Sequence, residues 1–293
     1  MDTRTLKHFL SLADCLHFGR ASESCHISPS ALSRSIKQLE EALGVALFTR
    51  DNRTVELTAE GEKFLSYARE TVSQWELIRN DLLEGSDTLT GELSMYCSVT
   101  ASYSVLYDLL ANFRQRYPLV DFKLHTGDPD KAIKRIVASD EDITIAARPD
   151  RLQRGLVFKT ITTTPLRFIA PAHGRLGGDK LQGKTCAENW QSTPVILAES
   201  GVARKRIDRW FHDLGVKPKI YAQVTGNEAI VSMVGLGLGV GIVPQIVLDH
   251  SPIADRVQAL DIKPELEPYD VGLCVLEKKL KNPLVAAFWE CVE

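Results

Sequence analysis

The apolar residues of the N-terminal segment recur at helical spacing and then in two short runs. The pattern predicts helices over residues 3–16, 19–25 and 28–44, with a tight turn before the third helix. Residues 45–58 contain two apolar runs joined by a polar Asp-Asn turn, which predicts a hairpin. This order of elements is typical of a winged helix-turn-helix domain. The residues expected to face the core of the first two helices are Leu6, Phe9, Leu10, Ala13, Ala21 and Cys25.

The third helix is marked at both ends and has two different faces. Ser28 is suited to cap its first turn, Pro29 to its first position and Gly44 to the left-handed conformation after its end. Its apolar stripe consists of Leu32, Ile36, Leu39 and Leu43. The other face has hydroxyls and cations and suits the major groove and the phosphates of DNA, although an ordinary surface helix is the alternative. The residues predicted to bind DNA there are Ser28, Pro29, Ser30, Ser33, Arg34 and Lys37.

The hairpin after this helix forms the predicted wing. Arg50 and Arg53 are expected at its tip, where they could reach phosphate or the minor groove. Exposed, solvated charges are the alternative reading of both arginines. The position of the tip beside the basic helix face favours contact with DNA.

A long helix is predicted from Ala59 to about Glu84, followed by a hinge at Gly85. Its apolar positions recur in alternating steps of four and three residues. Such a heptad seam typically packs against a partner helix. Packing on the first domain of the same chain is the alternative. We favour a dimer, because the seam is longer than a small winged domain covers. The seam consists of Phe64, Ala68, Thr71, Trp75, Ile78 and Leu82.

From Gly91 onward, strand-like segments such as 93–99 and 120–125 alternate with helix-like segments such as 102–117 and 129–139, which predicts α/β structure with mostly parallel sheets. Two such units are expected, with crossovers near residues 162–165 and 264–268. The chain is thus divided into a winged helix-turn-helix domain, a linker or dimerisation helix with hinge, and an effector-binding domain of two lobes. The expected bounds are 1–58, 59–90 and 91–293, with lobe I formed by 91–162 and 266–293 and lobe II by 163–265.

Two α/β lobes joined by two crossovers form a cleft at the carboxyl ends of their strands, where ligands bind. The best candidate is residues 98–102, because free amides at a helix start and three hydroxyls suit a carboxylate. Ordinary capping and turn chemistry are the alternatives. Arg148 could pair with a ligand carboxylate or form an exposed salt bridge. The predicted effector-binding residues are Ser98, Thr100, Ala101, Ser102, Thr126, Ala147, Ser200 and Thr225.

Composition narrows the classes of function. The 293 residues have a net charge of −3, so any affinity for DNA must come from a local cationic patch. The sequence offers no membrane-spanning run, and its six cysteines have no metal-ligand spacing, so we expect reduced thiols in a cytoplasmic protein. No catalytic group or cofactor motif is found: the glycine-rich run 235–241 lacks the spacing of a dinucleotide loop. The basic run at Arg204, Lys205 and Arg206 is left open between a solvated helix face, a subunit contact and an anion site.

The N-terminal segment resembles the winged helix-turn-helix of LysR-type transcriptional regulators. The resemblance lies in FGRAS at 18–22, SPSALSR at 28–34, LEEALG at 39–44 and LFTR at 47–50, with Ser22 where the family usually has alanine. It extends over the whole chain and implies a periplasmic-binding-protein-like effector domain, dimerisation through the linker helix and pairing of dimers into tetramers. Four further segments resemble the branch of the family that regulates isoleucine–valine biosynthesis: DNRTV at 51–55, GEL at 91–93, CSVTA at 97–101 and VSMV at 231–234.

The leading hypothesis is therefore a regulator that binds promoter DNA, with RNA polymerase as a further partner, and senses a small carboxylate. The resemblance implies acetolactate or acetohydroxybutyrate as inducer and the acetohydroxy acid isomeroreductase gene as target. A regulator of another small-carboxylate pathway is the first alternative. An enzyme or solute-binding protein is a second, and a redox sensor that uses cysteines is a third.

Overall fold

The computed structural model of the chain describes residues 2–50, 54–82, 89–173 and 187–292. It divides into a first unit, Met1–Thr88 with Ala138–Asp140, and a second unit, Leu89–Val137 with Glu141–Glu293. Arg53, the predicted hinge at Gly85 and Cys186 lie outside the described residues. Within the described ranges, no helix is long and apolar enough to cross a membrane.

The first unit has the element order of a winged helix-turn-helix followed by a long helix. The two strands pair antiparallel, with Phe48 opposite Leu57 and Arg50 opposite Val55, so the predicted hairpin is present in shorter form. The elements are α1 (Thr3–Cys15), α2 (Phe18–Ser24), α3 (Pro29–Leu43), β1 (Phe48–Arg50), β2 (Val55–Leu57) and α4 (Ala59–Leu82).

The ends of α3 form as the sequence predicts. The Ser28 hydroxyl accepts a hydrogen bond from the amide of Ala31, and Pro29 occupies the first turn. Gly44 has a φ of 72°, in the left-handed region that favours glycine, and its amide donates to the carbonyl of Glu40. The sequence therefore fixes both the start and the end of this helix by local chemistry.

The core of the first unit forms where α1, α3, the wing and α4 meet. Phe9 lies at its centre, with ring centroids 5.3 Å from Phe48 and 4.9 Å from Phe64. Four predicted core positions differ: Leu10, Ala13 and Cys25 are half-buried, and Leu43 is 40% exposed because it lies in the last turn of α3. The most buried apolar residues of α1 and α3 are Leu6, Phe9, Leu12, Leu32, Ile36 and Leu39.

The second unit contains two five-stranded sheets. The first sheet has the order β4-β3-β5-β12-β6 and the second the order β11-β7-β10-β8-β9. The strands are β3 (Gly91–Ser98), β4 (Val120–Gly127), β5 (Ile143–Ala147), β6 (Leu156–Thr164), β7 (Leu166–Pro171), β8 (Pro194–Ala198), β9 (Lys219–Val224), β10 (Val240–Pro244), β11 (Val257–Leu260) and β12 (Tyr269–Leu276). The helices are α5 (Val99–Tyr103), α6 (Val105–Arg116), α7 (Ala132–Val137), α8 (Ala187–Ser192), α9 (Gly201–Asp213), α10 (Asn227–Gly235), α11 (Gln245–Asp249) and α12 (Pro283–Glu290).

Both sheets are mixed, which corrects the expectation of mostly parallel sheets. β3 runs parallel to β4 and β5, whereas β12 runs antiparallel to β5 and β6. In the second sheet β8 runs parallel to β9 and β10, whereas β7 runs antiparallel to β10 and β11. The antiparallel pairs involve β6, β7, β11 and β12, the strands next to the two crossings between sheets. Parallel neighbouring strands are joined by a crossover connection, which is usually a helix. A strand that enters directly from the other sheet has no such connection, so it can run antiparallel to its neighbours.

Some elements differ from the sequence pattern. The helix predicted over 102–117 is two helices, α5 and α6, divided at Ser104, whose ψ is −95°. The helix predicted over 129–139 starts as a 3₁₀ turn, Pro129–Lys131, before α7. The pattern also missed β11 and α11, because four or five residues give too short a period to recognise.

Gly61 is required where α4 approaches the loop before the wing. A β-carbon at this position would collide with the carbonyl oxygen of Leu47, which belongs to the backbone and has no freedom to move aside. Gly19 in α2 is a matched contrast, because its β-carbon would meet only two side-chain atoms of His17, Cε1 at 3.0 Å and Nδ1 at 3.3 Å.

We expect Gly61→Ala to destabilise the first unit by about 2 kcal/mol, because the backbone must shift to relieve the overlap. Gly19→Ala should have a smaller effect, since alanine favours a helix over glycine. Differential scanning calorimetry of the full chain measures both. Equal melting profiles for Gly61→Ala and the unchanged protein would contradict the packing of α4 described here.

Candidate functional site

The polar face of α3 is open to solvent. Ser28, Pro29, Ser30, Arg34 and Lys37 are exposed, and Ser33 is half-buried. Among the described residues Arg34 has no ion-pair partner, while Lys37 lies 3.7 Å from Glu41 in a pair whose side chains are 72% and 63% exposed. Such an exposed pair contributes little and leaves the ammonium group available to a phosphate. The face is therefore accessible, which is the condition that DNA contact requires.

Glu40, at the end of this face, connects α3 to the wing. Its Oε1 accepts hydrogen bonds from the amides of Leu47 at 2.9 Å and Phe48 at 3.1 Å. Its Oε2 accepts from the Arg50 guanidinium at 2.6 Å, and its side chain is only 15% exposed. Charge-assisted bonds of this kind are about twice as strong as neutral ones, so Glu40 fixes the position of the wing. The sequence pattern does not indicate this role, because contacts seven to ten residues apart leave no periodic signal.

Arg50 is less free than the sequence suggests. Its side chain is 32% exposed, and its guanidinium carbon lies 5.3 Å from the centroid of the Phe18 ring as well as bonding Glu40. The guanidinium is thus held against Glu40 and Phe18 and does not project freely into solvent. Its contact with DNA remains a prediction, as does that of Arg53.

The predicted seam of α4 has two parts with different environments. Phe64 and Ala68 pack in the core of the first unit, and Ala68 is fully buried, so the expectation that these two face a partner helix is wrong. Thr71 is half-buried, and its hydroxyl donates to the carbonyl of Tyr67 at 2.8 Å. Trp75, Ile78 and Leu82 are 49%, 48% and 78% exposed, so the second half of the helix presents an uncovered apolar stripe.

The second unit has two neighbouring cavities between its sheets. The larger, of about 250 Å³, is lined in part by Asp130, Ala147, Ser200, Lys205, Thr225 and Tyr269. The smaller, of about 50 Å³, is lined in part by Ser98, Thr100, Ala101, Ala147, Asn227 and Tyr269. Six of the eight predicted effector-binding residues therefore line this cleft, and Ala147 lines both cavities.

Ser102 and Thr126 line neither cavity, which corrects their assignment. The Ser102 hydroxyl donates back to the carbonyl of Val99 at 2.7 Å. Thr126 has an exposed side chain, because β4 continues to Gly127 and this residue is part of the strand and not of a loop after it. The predicted end of this strand, at His125, was too early.

The helix start after β3 is already occupied by protein groups. The Ser98 hydroxyl accepts from the amide of Ala101 at 3.2 Å. The amide of Thr100 donates to Oε1 of Glu228 at 2.9 Å, and the Thr100 hydroxyl donates to the same oxygen. The expectation of free donors for a ligand carboxylate is therefore wrong at Thr100. Glu228 is 128 residues away from Thr100, so no local pattern in the sequence indicates this contact.

The basic residues of this unit have separate roles. The Arg148 guanidinium lies 3.7 Å from the carboxylate of Asp270 and is half exposed, so the structure favours the salt-bridge reading. Arg204 bonds Asp208 and the carbonyl of Ala198, and the Arg206 side chain is only 12% exposed. Lys205, between them, is exposed and lines the larger cavity. The run at 204–206 is thus not a uniform solvated face.

Two thiols in this unit are held neutral by burial. Burial raises the pKa of Cys97 and of Cys274 to about 12, so both are protonated near neutral pH. A thiol in that state is a poor nucleophile and a poor partner for peroxide. Among the described residues, no group of three or more histidine, cysteine, aspartate or glutamate side chains is placed to hold a metal ion.

An exposed recognition helix, a wing and a separate two-sheet unit with a cleft define a ligand-binding DNA-binding regulator. Residues 3–62 match the bacterial regulatory helix-turn-helix family of LysR type, and residues 86–293 match the LysR substrate binding domain. The chain belongs to the LysR family, and its relatives are transcriptional regulators and not enzymes.

Its relatives and structural neighbours cover the whole chain. It is 42% identical over 294 residues to the HTH-type transcriptional activator IlvY of Haemophilus influenzae, covering 100% of both chains. It is 41% identical to the regulator IlvY of Escherichia coli K12, covering 99% of this chain and 98% of that one. A full-length OxyR variant from Pseudomonas aeruginosa (22% identical, 100% and 94% covered) has a TM-score of 0.72. Full-length CbnR in complex with its target DNA (23% identical, 100% and 99% covered) has a TM-score of 0.66. These two structures support the fold alone.

We expect Cys97 and Cys274 to react slowly with iodoacetamide in the folded protein at pH 8 and rapidly after denaturation, because their pKa values of about 12 keep them protonated. Mass spectrometry of each cysteine peptide over time measures the rates. Half-buried Cys25 serves as the internal comparison. Rates for Cys97 that match the denatured protein would contradict its burial and reopen the redox-sensor reading.

Proposed function

We propose that the protein activates the acetohydroxy acid isomeroreductase gene of isoleucine–valine biosynthesis in response to acetolactate or acetohydroxybutyrate. The observation that carries the proposal is the identity of 41–42% over the full chain to the IlvY regulators. The open face of α3 and the cleft of the second unit support the proposal, because such a function needs a surface for DNA and a cavity for a ligand. The protein would act in the cytoplasm, with RNA polymerase as a further partner at the promoter.

DNA contact in this proposal is made by α3 and the wing. The hydroxyls of Ser30 and Ser33 and the cations of Arg34 and Lys37 would reach base edges and phosphates from one helix face. Ser28 and Pro29, at the start of the helix, would approach the backbone. Arg50 and Arg53 would add contacts from the wing. A chain with a net charge of −3 concentrates its attraction for DNA at this face.

Pairing of subunits is proposed through the uncovered half of α4. Trp75, Ile78 and Leu82 recur at heptad spacing and are exposed, so a second copy of α4 would bury them. A dimer presents two recognition helices to two half-sites, and two dimers would make the tetramer. The domain bounds proposed from the sequence, 1–58, 59–90 and 91–293, place this stripe within the linker helix.

The effector is proposed to bind in the larger cavity. Lys205 and Arg151 line it, and neither forms an ion pair with any described residue, so both are available to a carboxylate. Ser200, Thr225 and Asn227 add groups that suit a hydroxyl or a keto oxygen. A volume of about 250 Å³ fits a small hydroxy-keto acid. A regulator of another small-carboxylate pathway is the alternative, because these groups would also suit a related acid.

We expect Arg34→Ala to weaken binding to the isomeroreductase promoter by about tenfold or more, because a bidentate arginine contact contributes about 1–3 kcal/mol. A gel-shift titration with that promoter fragment measures the loss, and circular dichroism checks the fold. Arg154→Ala, at an exposed site in the second unit, is the matched control. An Arg34→Ala protein that binds like the control would contradict the docking face.

We expect acetolactate to bind the full-length protein and Lys205→Ala to weaken that binding by about tenfold, since a charge-assisted hydrogen bond is worth about 1.5–3 kcal/mol. Isothermal titration calorimetry measures both. Lys217→Ala, exposed just beyond α9, is the matched control. Tighter binding of a different small carboxylate would favour the alternative pathway, and equal loss in both lysine variants would refute the role of Lys205.

A further inference from the structure

Two carboxylate contacts cross the cleft of the second unit, and each joins a carboxylate on one side to a hydroxyl on the other. Glu228, in the first turn of α10 beside the second sheet, accepts from the hydroxyl and the amide of Thr100, which follows β3 of the first sheet. Asp130, beside the first sheet, accepts from the hydroxyl of Ser200 at 2.7 Å, at the start of α9 beside the second sheet. Each side of the cleft therefore contributes one carboxylate, which accepts a hydrogen bond from a hydroxyl on the opposite side. We call the Thr100–Glu228 contact the first bond, the Ser200–Asp130 contact the second bond, and the two together the cross-cleft pair.

The geometry makes the first bond the stronger one. Thr100 is only 3% exposed, so its donors are shielded from water. Two donors converge on a single oxygen of Glu228, and the charge of the acceptor strengthens both bonds. The same carboxylate lies at the start of α10, where the helix dipole favours a negative charge.

The second bond lies in the wall of the larger cavity. Asp130 and Ser200 both line that cavity, and the Asp130 carboxylate also lies 3.8 Å from the ammonium group of Lys134. An ideal β-carbon on Gly201 would lie 3.5 Å from Oδ1 of Asp130, so the backbone after Ser200 approaches this carboxylate closely. The two members of the cross-cleft pair thus hold the cleft at two separate places.

We propose that the cross-cleft pair is a closure latch that holds the two sheets together over the larger cavity and sets the affinity for a small carboxylate bound there. The inference rests on the proposed function, which places the effector in that cavity. Glu228 itself lines neither of the two described cavities, so it acts on the ligand through the arrangement of the sheets. It is therefore a positioning residue and not a ligand-binding residue.

The effect of the latch on ligand affinity depends on the fraction of time that the protein spends in the latched arrangement. The cavity of about 250 Å³ exists with both bonds formed, so the latched arrangement is the one that can enclose a small acid. A protein that occupies its binding-competent arrangement only part of the time has its apparent affinity reduced by that fraction. Removal of the Glu228 carboxylate therefore weakens binding without removing any group that lines the larger cavity.

Hydrogen–deuterium exchange on the ligand-free, full-length protein tests the latch directly. In Glu228→Ala, amides near Thr100 should exchange faster, and amides near Asp130 and Ser200 should follow, because the two bonds hold the same closure. Glu228→Gln keeps a neutral acceptor and should give an intermediate result. Glu265→Gln, whose carboxylate is exposed and pairs with Lys263, is the control and should match the unchanged protein. Faster exchange confined to the region of Thr100, or none at all, would overturn the proposal.

Calorimetric titration with acetolactate then tests the coupling to ligand. We expect roughly tenfold weaker binding in Glu228→Ala and a smaller loss in Glu228→Gln, as the strength of a charge-assisted bond implies. Equal affinity in Glu228→Ala and the unchanged protein, despite faster exchange, would overturn the proposal. If the unchanged protein does not bind acetolactate, the proposed inducer is wrong, while the exchange experiment still decides whether the latch exists.

Discussion

Burial of one side of α3 is the constraint on which the first unit depends. Leu32, Ile36 and Leu39 are fully or almost fully removed from water, and a buried side chain of this size contributes about 1.5–3 kcal/mol. Because this stripe packs in the core, the opposite side of the helix faces solvent. Because that side has hydroxyls and cations, the burial that folds the domain also exposes the face that we propose to bind DNA.

Carboxylates hold distant parts of this chain together. Glu40 ties the wing to α3 through two backbone amides and Arg50. Asp142 accepts from the amide and hydroxyl of Ser94 and pairs with Lys279 at 2.7 Å. Glu228 and Asp130 accept hydrogen bonds across the cleft, from Thr100 and Ser200 respectively. Each of these acids accepts hydrogen bonds from a segment other than its own.

The local features of the fold were predictable from the sequence, and the distant ones were not. Ser28 and Gly44 act through neighbours within four residues, so the limits of α3 follow from the local sequence alone. The direction of β12 depends on which end of the sheet the chain re-enters, and no short pattern records that. A heptad seam reports apolar spacing but not its partner, so Ala68 and Trp75 look alike in the sequence although one is buried and the other half exposed.

The salt dependence of promoter binding tests the central claim, that a local cationic face on an acidic molecule binds DNA. The logarithm of the binding constant should fall linearly with the logarithm of salt concentration, by about 0.9 for each phosphate neutralised. Lys37→Ala, which removes one exposed cation of that face, should reduce the slope by about one, whereas Lys217→Ala should leave it unchanged. A slope near zero, or one that responds equally to both substitutions, would contradict the account.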